Sequence, residues 1–165
     1  MTTNALPTAI RRSQYAVFGV ATVHVAAIVL LLTHRDAMHA GQLALHPGGD
    51  IDALTKAALL QSLVPHVIFA VLLPLRALRL TRGRRSGRTV LTAVLTLQIA
   101  AHATLPMVTR ELPGYGGWII AVQALSFLFE IAALVYLWSP SARTFFRPGQ
   151  APAPAKTSEP ALPVA

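Results

Sequence analysis

Four apolar stretches alternate with polar connections along the 165 residues of this chain. The stretches cover about residues 14–34, 57–78, 89–108 and 117–138. Each is about 20 residues long, which at a rise of ~1.5 Å per residue is enough to cross the ~30 Å hydrocarbon core of a bilayer. Charged residues make up only 12% of the chain, against about 25% in soluble domains. The pattern therefore predicts an all-α fold: an integral membrane, up-down bundle of four transmembrane helices.

The connections indicate how the helices are arranged. Because the second and third connections are short, the helices that they join are expected to be antiparallel neighbours. The first connection is the longest, and residues 35–45 within it are expected to form a short helix at the membrane interface. Asp50 or Asp52 is the expected N-cap of the next helix, since a carboxylate there accepts the N–H groups of the first turn.

Basic residues are distributed unevenly between the two sides of the predicted membrane domain. Eleven of the fourteen lie in the tails and in the connection between helices two and three. The positive-inside rule then predicts cytoplasmic termini, with a tail over residues 1–13, a membrane domain over 14–139 and a mostly disordered tail over 140–165. The high arginine and alanine content is typical of a GC-rich bacterial genome, so the expected location is a bacterial plasma membrane.

The first apolar stretch has an alternative interpretation as a cleaved signal peptide. Arg11 and Arg12 precede it, and Ala37 and Ala40 follow it, as at a cleavage site. It is, however, longer than the roughly 7–15 apolar residues of a signal peptide. We therefore expect an uncleaved first helix, with cleavage as a signal peptide as the alternative.

The net charge of +8 is explained by membrane topology rather than by nucleic-acid binding, because the basic residues lie in connections. A cluster between helices two and three is a candidate contact for anionic lipid headgroups. It consists of Arg79, Arg82, Arg84, Arg85 and Arg88.

A few polar side chains interrupt the apolar stretches and are candidate ligand or proton sites. They are costly at membrane depth, so we expect them to face one another rather than lipid. The predicted helix ends place the histidines and the acid in a band on the order of 10–15 Å deep near the midplane. The candidates are His24, His66, Gln98, His102, Gln123 and Glu130.

Glu130 is the only acid within the four stretches. An isolated ionised carboxylate there would be penalised by several kcal/mol, so Glu130 is expected to be protonated or paired. The possible partners are His24, His66, His102 and, near the end of helix two, Arg76. The favoured interpretation is a hydrogen bond that holds helices together, and the alternative is a proton relay or substrate contact.

Two cofactor hypotheses follow from the histidines. His66 and His102 lie at similar depth and could ligate a b-type haem, or could bind a quinone headgroup together with Glu130. No attachment motif supports either, so no cofactor is the first expectation. No metal site is expected either. The absence of cysteine excludes thiolate sites and disulfides, and the acidic and histidine side chains of the first connection lack a recognised spacing: His34, Asp36, His39, His46, Asp50 and Asp52.

The sequence thus favours a non-enzymatic accessory or scaffold subunit, and no catalytic residue can be named. Its expected partners are membrane lipids and either another membrane protein or a second copy of itself. Two alternatives remain. One is a haem- or quinone-binding redox protein or small intramembrane enzyme that uses His66, His102 and Glu130. The other is a small proton-coupled carrier centred on Glu130.

Overall fold

A computed structural model describes residues 6–109 and 116–146 of the chain, and every element within these ranges is helical. Residues 1–5 and 147–165 of the two predicted tails, and residues 110–115 of the third connection, lie outside the described residues, whereas residues 8–13 and 140–145 of the predicted tails are helical. The elements are α1 (Thr8–Thr33), α2 (Arg35–Leu45), α3 (Ile51–Arg79), a 3-10 turn (Leu80–Arg82), α4 (Arg85–Thr109), α5 (Gly116–Leu137) and α6 (Pro140–Phe145).

Three helices are long and apolar enough to cross a membrane: Thr8–Thr33, Ile51–Arg82 and Gly117–Leu137. The all-helical prediction is therefore confirmed, and a membrane location is supported by length and composition. The fourth predicted span, about 89–108, lies within α4. Its last residues, from 104 onward, have side chains outside the described set.

α1 lies at the centre of the fold, between α3 and α5. Ser13 Oγ donates to the Ala133 carbonyl at 3.1 Å, and Gln14 Nε2 donates to the Ala77 carbonyl at 2.8 Å. These bonds join the start of α1 to the ends of α5 and α3, so α1 is antiparallel to both. Polar side chains thus join the central helix to its neighbours.

α4 packs mainly against α5 and touches α3 only slightly. Trp138 Nε1 donates to Thr92 Oγ1 at 3.0 Å and ties the start of α4 to the end of α5. The sequence predicts consecutive helices as close neighbours, and α3 and α4 follow this only in part. The reason is a cavity, described below, that both helices line.

The packing differs between the two ends of the fold. At the end where α1 begins and α3 and α5 finish, hereafter the tail end, fully buried apolar side chains form a continuous core. The opposite end, which carries α2 and is hereafter the loop end, has only a small group around Leu31 and Met38. The tail-end core includes Ile10, Val17, Val20, Leu73, Leu80, Leu91, Leu95, Ala133 and Leu137.

α2 is the helix expected over residues 35–45, and it packs against α3. Met38 and Gly41 are its buried residues. The α3 N-cap is Asp50, whose Oδ1 accepts from the Ala53 N–H at 3.1 Å. Asp52, the other candidate cap, instead lies 3.4 Å from His39 Nε2. Both predictions for this connection, a short helix and a carboxylate cap, are confirmed.

Gly19 lets α1 and α5 approach closely. A Cβ placed there would lie 2.8 Å from Phe129 Cδ1 and 2.9 Å from Phe129 Cγ. We expect Gly19→Ala to lower the free energy of unfolding by about 1–2 kcal/mol, because the ring must move and this outweighs the better helix propensity of alanine. Gly87→Ala is the control, since a Cβ at that helical position meets nothing within 4 Å. Unfolding of both variants in detergent is the measurement, and equal stabilities would contradict the prediction.

A candidate ligand-binding cavity

A cavity of about 480 Å³ opens among five helices, α1 to α5, toward the loop end of the fold. This volume is within the range of about 300–1,000 Å³ that is typical of small-molecule sites. His34 and Trp118 lie beside one another at this end, with ring centroids 6.2 Å apart. The walls are mainly apolar, with contributions from Leu30, Leu31, Met38, Phe69, Ile119 and Val122.

His24 joins three helices at the base of this cavity. Its Nδ1 lies 2.8 Å from Nδ1 of His66 on α3, and its Nε2 lies 2.7 Å from Nε2 of Gln98 on α4. Phe69 stacks on the His24 ring at a centroid distance of 5.4 Å. His24 is buried, so this chain of hydrogen bonds satisfies both of its ring nitrogens.

The positions of the ring hydrogens in these hydrogen bonds follow from the orientation of the Gln98 amide, whose nitrogen faces His24. An amide nitrogen only donates, so His24 Nε2 accepts and His24 Nδ1 carries the hydrogen. His24 then donates to His66 Nδ1, which leaves the hydrogen of His66 on Nε2. That N–H has no partner among the described residues, and His66 lines the cavity. The base of the cavity therefore offers one imidazole donor.

A second hydrogen-bonded group contains Glu130, whose side chain is fully buried. His102 Nδ1 lies 3.1 Å from Oε1 and 3.2 Å from Oε2, and Ser126 Oγ donates to Oε1 at 3.0 Å. Among the partners that the sequence left open, the structure places His102 beside the acid. His24 and His66 contact each other, and Arg76 lies in a separate cleft at the tail end.

His102 connects this buried acid to the cavity, which it lines with a nearly buried side chain. Burial favours a pair that is neutral overall. Such a pair is either an imidazolium with a carboxylate or an imidazole that accepts the carboxyl hydrogen at Nδ1. In both arrangements the His102 Nε2 carries a hydrogen, and no described residue accepts it. His102 is thus a second donor at the cavity base.

Two acceptors complete the polar base. The Oε1 atoms of Gln98 and Gln123 are buried and have no hydrogen-bond partner among the described residues, and both residues line the cavity. An unpaired buried acceptor costs about 1–3 kcal/mol. Two imidazole donors and two unpaired amide oxygens thus belong to residues that line one mostly apolar space, an arrangement suited to a ligand that carries carbonyl or hydroxyl groups.

No known family model, curated protein or solved structure matches this chain. The geometry of the cavity therefore carries the evidence for function.

The structure brings the sequence candidates together. His24, His66, Gln98, His102 and Gln123 all line the cavity, and Glu130 lies one hydrogen bond behind His102. The described residues contain no group of three or more side chains able to hold a metal ion.

Sequence reasoning missed the contribution of α2, which supplies part of the cavity wall through Met38 and Gly41. The only sequence signal was the amphipathic pattern of residues 35–45, which predicts a helix but not what the helix covers. The stack of Phe69 on His24 was also missed, because aromatic residues in apolar helices are common.

Proposed function

We propose that this chain is a four-helix protein of the bacterial plasma membrane that binds a small lipophilic molecule of the quinone class in the loop-end cavity. The fourth span is inferred from α4. Its Gln98 and His102 bond to His24 on α1 and Glu130 on α5, midway along two helices that are long enough to cross a membrane. These bonds support the same membrane depth for α4. The excess of basic residues at the tail end supports cytoplasmic termini.

The observation that carries the proposal is the polar base beneath apolar walls. The carbonyl oxygen of a quinone accepts from an imidazole N–H, such as Nε2 of His66 or His102. The hydroxyl of the reduced quinol donates to an amide oxygen, such as Oε1 of Gln98 or Gln123. Apolar walls suit the ring and the first part of a hydrocarbon tail. Both redox forms would thus find partners in one cavity.

Binding of decylubiquinone to the full-length protein in a neutral detergent tests the proposal by isothermal titration calorimetry. We expect saturable binding by the wild-type protein. His66→Leu should weaken it about tenfold, because one donor to the ligand is lost. His46→Leu is the matched control, since His46 is exposed in the first connection and does not line the cavity. Absence of binding, or equal weakening by both substitutions, would contradict the proposal.

A proton-coupled carrier is the second candidate, and the Glu130–His102 pair favours it. A carboxyl group that is fully buried yet joined to the cavity through an imidazole is suited to exchanging a proton when a ligand binds. In proteoliposomes this function predicts ligand-dependent proton uptake. Glu130→Gln, which keeps the size of the side chain, should abolish that uptake, whereas a simple binding protein would show none in either form.

A non-enzymatic accessory subunit is the remaining proposal. Exposed apolar side chains run along α3, where lipid or a partner helix would cover them: Val64, Val67, Ile68, Val71, Leu72 and Leu75. An accessory role predicts stable copurification with a larger membrane protein from native membranes. It also predicts that His66→Leu changes the stability of the protein without changing the binding of a ligand.

A further inference from the structure

A second cleft, of about 210 Å³, lies at the tail end, where α3 passes through the 3-10 turn into α4. Four arginines line it: Arg76, Arg79, Arg82 and Arg84. Ser86 and Gly87, from the first turn of α4, complete one side. A helix start is electropositive because its first N–H groups lack intrahelical partners. The cleft therefore concentrates positive charge from side chains and from backbone.

The four guanidinium groups of the cleft have no hydrogen bond, ion pair or ring contact with any described residue. Other arginines at the tail end do have partners. Arg88 lies over the Trp138 ring at 4.2 Å from the centroid, and Arg143 Nε donates to the Trp138 carbonyl at 3.0 Å. The cleft arginines are thus set apart by the lack of a protein partner.

No carboxylate of the described ranges neutralises the cleft. Three of the four described acids, Asp36, Asp50 and Asp52, lie at the loop end, in or beside α2 and the start of α3. The fourth, Glu130, is buried against His102. The charge of the cleft therefore calls for an anion from outside the described chain.

The surroundings of the cleft indicate where that anion comes from. The cleft lies at the end of Ile51–Arg82, one of the three helices able to cross a membrane. Exposed apolar side chains lead away from it along α3 and α4, namely Leu75, Leu78 and Val90. An anion with attached acyl chains would place its charge among the arginines and its chains along these residues. A guanidinium also matches the geometry of a phosphate with two parallel hydrogen bonds.

We infer that the tail-end cleft is a binding site for the phosphate group of an acidic membrane lipid. The sequence pattern predicts contact with anionic lipid headgroups for five arginines: Arg79, Arg82, Arg84, Arg85 and Arg88. The structure places the first three in the cleft together with Arg76. Arg88 is turned against Trp138 and Phe146, and Arg85 does not line the cleft. Burial, with Arg85 and Arg143 nearby, lowers the pKa of Arg88.

Native mass spectrometry of the full-length protein in a neutral detergent tests the inference, with dioctanoyl phosphatidic acid as the probe. Dioctanoyl phosphatidylcholine and inorganic phosphate are titrated separately. We expect the Arg79→Gln/Arg82→Gln variant to bind phosphatidic acid at least about tenfold more weakly than the wild type. The matched control is Arg11→Gln/Arg85→Gln, which removes the same charge from exposed positions at the same end, and it should change binding about twofold or less.

Two results would overturn the inference. One is an equal loss of binding in the cleft variant and the control, which would indicate attraction by net charge alone. The other is binding of inorganic phosphate as tight as that of phosphatidic acid, which would assign the cleft to a free anion. Unfolding of each variant is followed in parallel. If the first variant is unstable, Arg76→Gln/Arg84→Gln addresses the same cleft with the same control.

Discussion

Replacing Glu130 with alanine is expected to lower the free energy of unfolding by about 3 kcal/mol. The side chain is fully buried, so its removal leaves a cavity between α4 and α5. It also leaves the imidazole of His102 and the hydroxyl of Ser126 without their shared hydrogen-bond partner. Reversible unfolding in mixed detergent micelles, followed by circular dichroism, measures the loss.

Glu130→Gln is the matched control for this prediction. It keeps the volume of the side chain, an oxygen that accepts from Ser126 and a second polar atom within reach of His102, so we expect a loss below about 1 kcal/mol. The difference between the two variants separates packing and hydrogen bonding from charge. If both variants lost the same stability, the charge of Glu130 would be the dominant contribution and the structural argument would fail.

Replacing His24 with alanine is the second substitution for which a large effect is expected, about 2–3 kcal/mol of unfolding free energy. His24 is the only residue that contacts both His66 and Gln98 in the described hydrogen-bond network. Its loss removes both bonds and the stacking partner of Phe69. The same unfolding measurement applies, and decylubiquinone binding should fall with it because His66 is no longer oriented.

A double-mutant cycle with Gln98→Leu tests whether the loss arises from the network. The two substitutions remove one shared hydrogen bond, so their effects should fall short of additivity by about 1 kcal/mol. His39→Ala is the histidine control. Its ion pair with Asp52 is exposed to solvent, and such pairs contribute about 0–1 kcal/mol. Strict additivity, or an equal loss at His39, would show that the buried network does not stabilise the fold.

Helix positions followed from the sequence because each hydrophobic stretch is long and almost free of charged residues. Three of the four predicted spans coincide with helices able to cross a membrane, and the helix over residues 35–45 and the Asp50 cap are present. The sequence predicted less well which helices touch. Close packing of α1 on α5 depends on Gly19 meeting Phe129, a contact between residues too far apart in sequence for any local pattern to predict.

The polar residues of the candidate site were predictable as a set, since each is costly in lipid unless it faces another polar group. The sequence did not predict which of these residues form hydrogen bonds with one another. Helix rotation decides whether Glu130 meets His102 or His66, and α5, which is apolar on nearly all sides, carries little information about rotation. The cavity was beyond prediction for a related reason. It forms where α3 and α4 make little contact and α2 contributes a wall, and neither feature follows from the spacing of apolar residues.

The central position of α1 has a consequence for how the protein is made. α1 leaves the ribosome before the other described helices, yet the Ser13 hydroxyl finds its acceptor 120 positions later, on α5. At ~5–20 residues per second, synthesis of that interval takes about 6–24 s. The hydroxyl of Ser13 lacks its final partner throughout that time. The amide of Gln14 lacks its own until Ala77, 63 positions later, and the imidazole of His24 until His66 and Gln98, 42 and 74 positions later. The insertion machinery, or water near the interface, must accommodate three polar groups until the later helices arrive and enclose them.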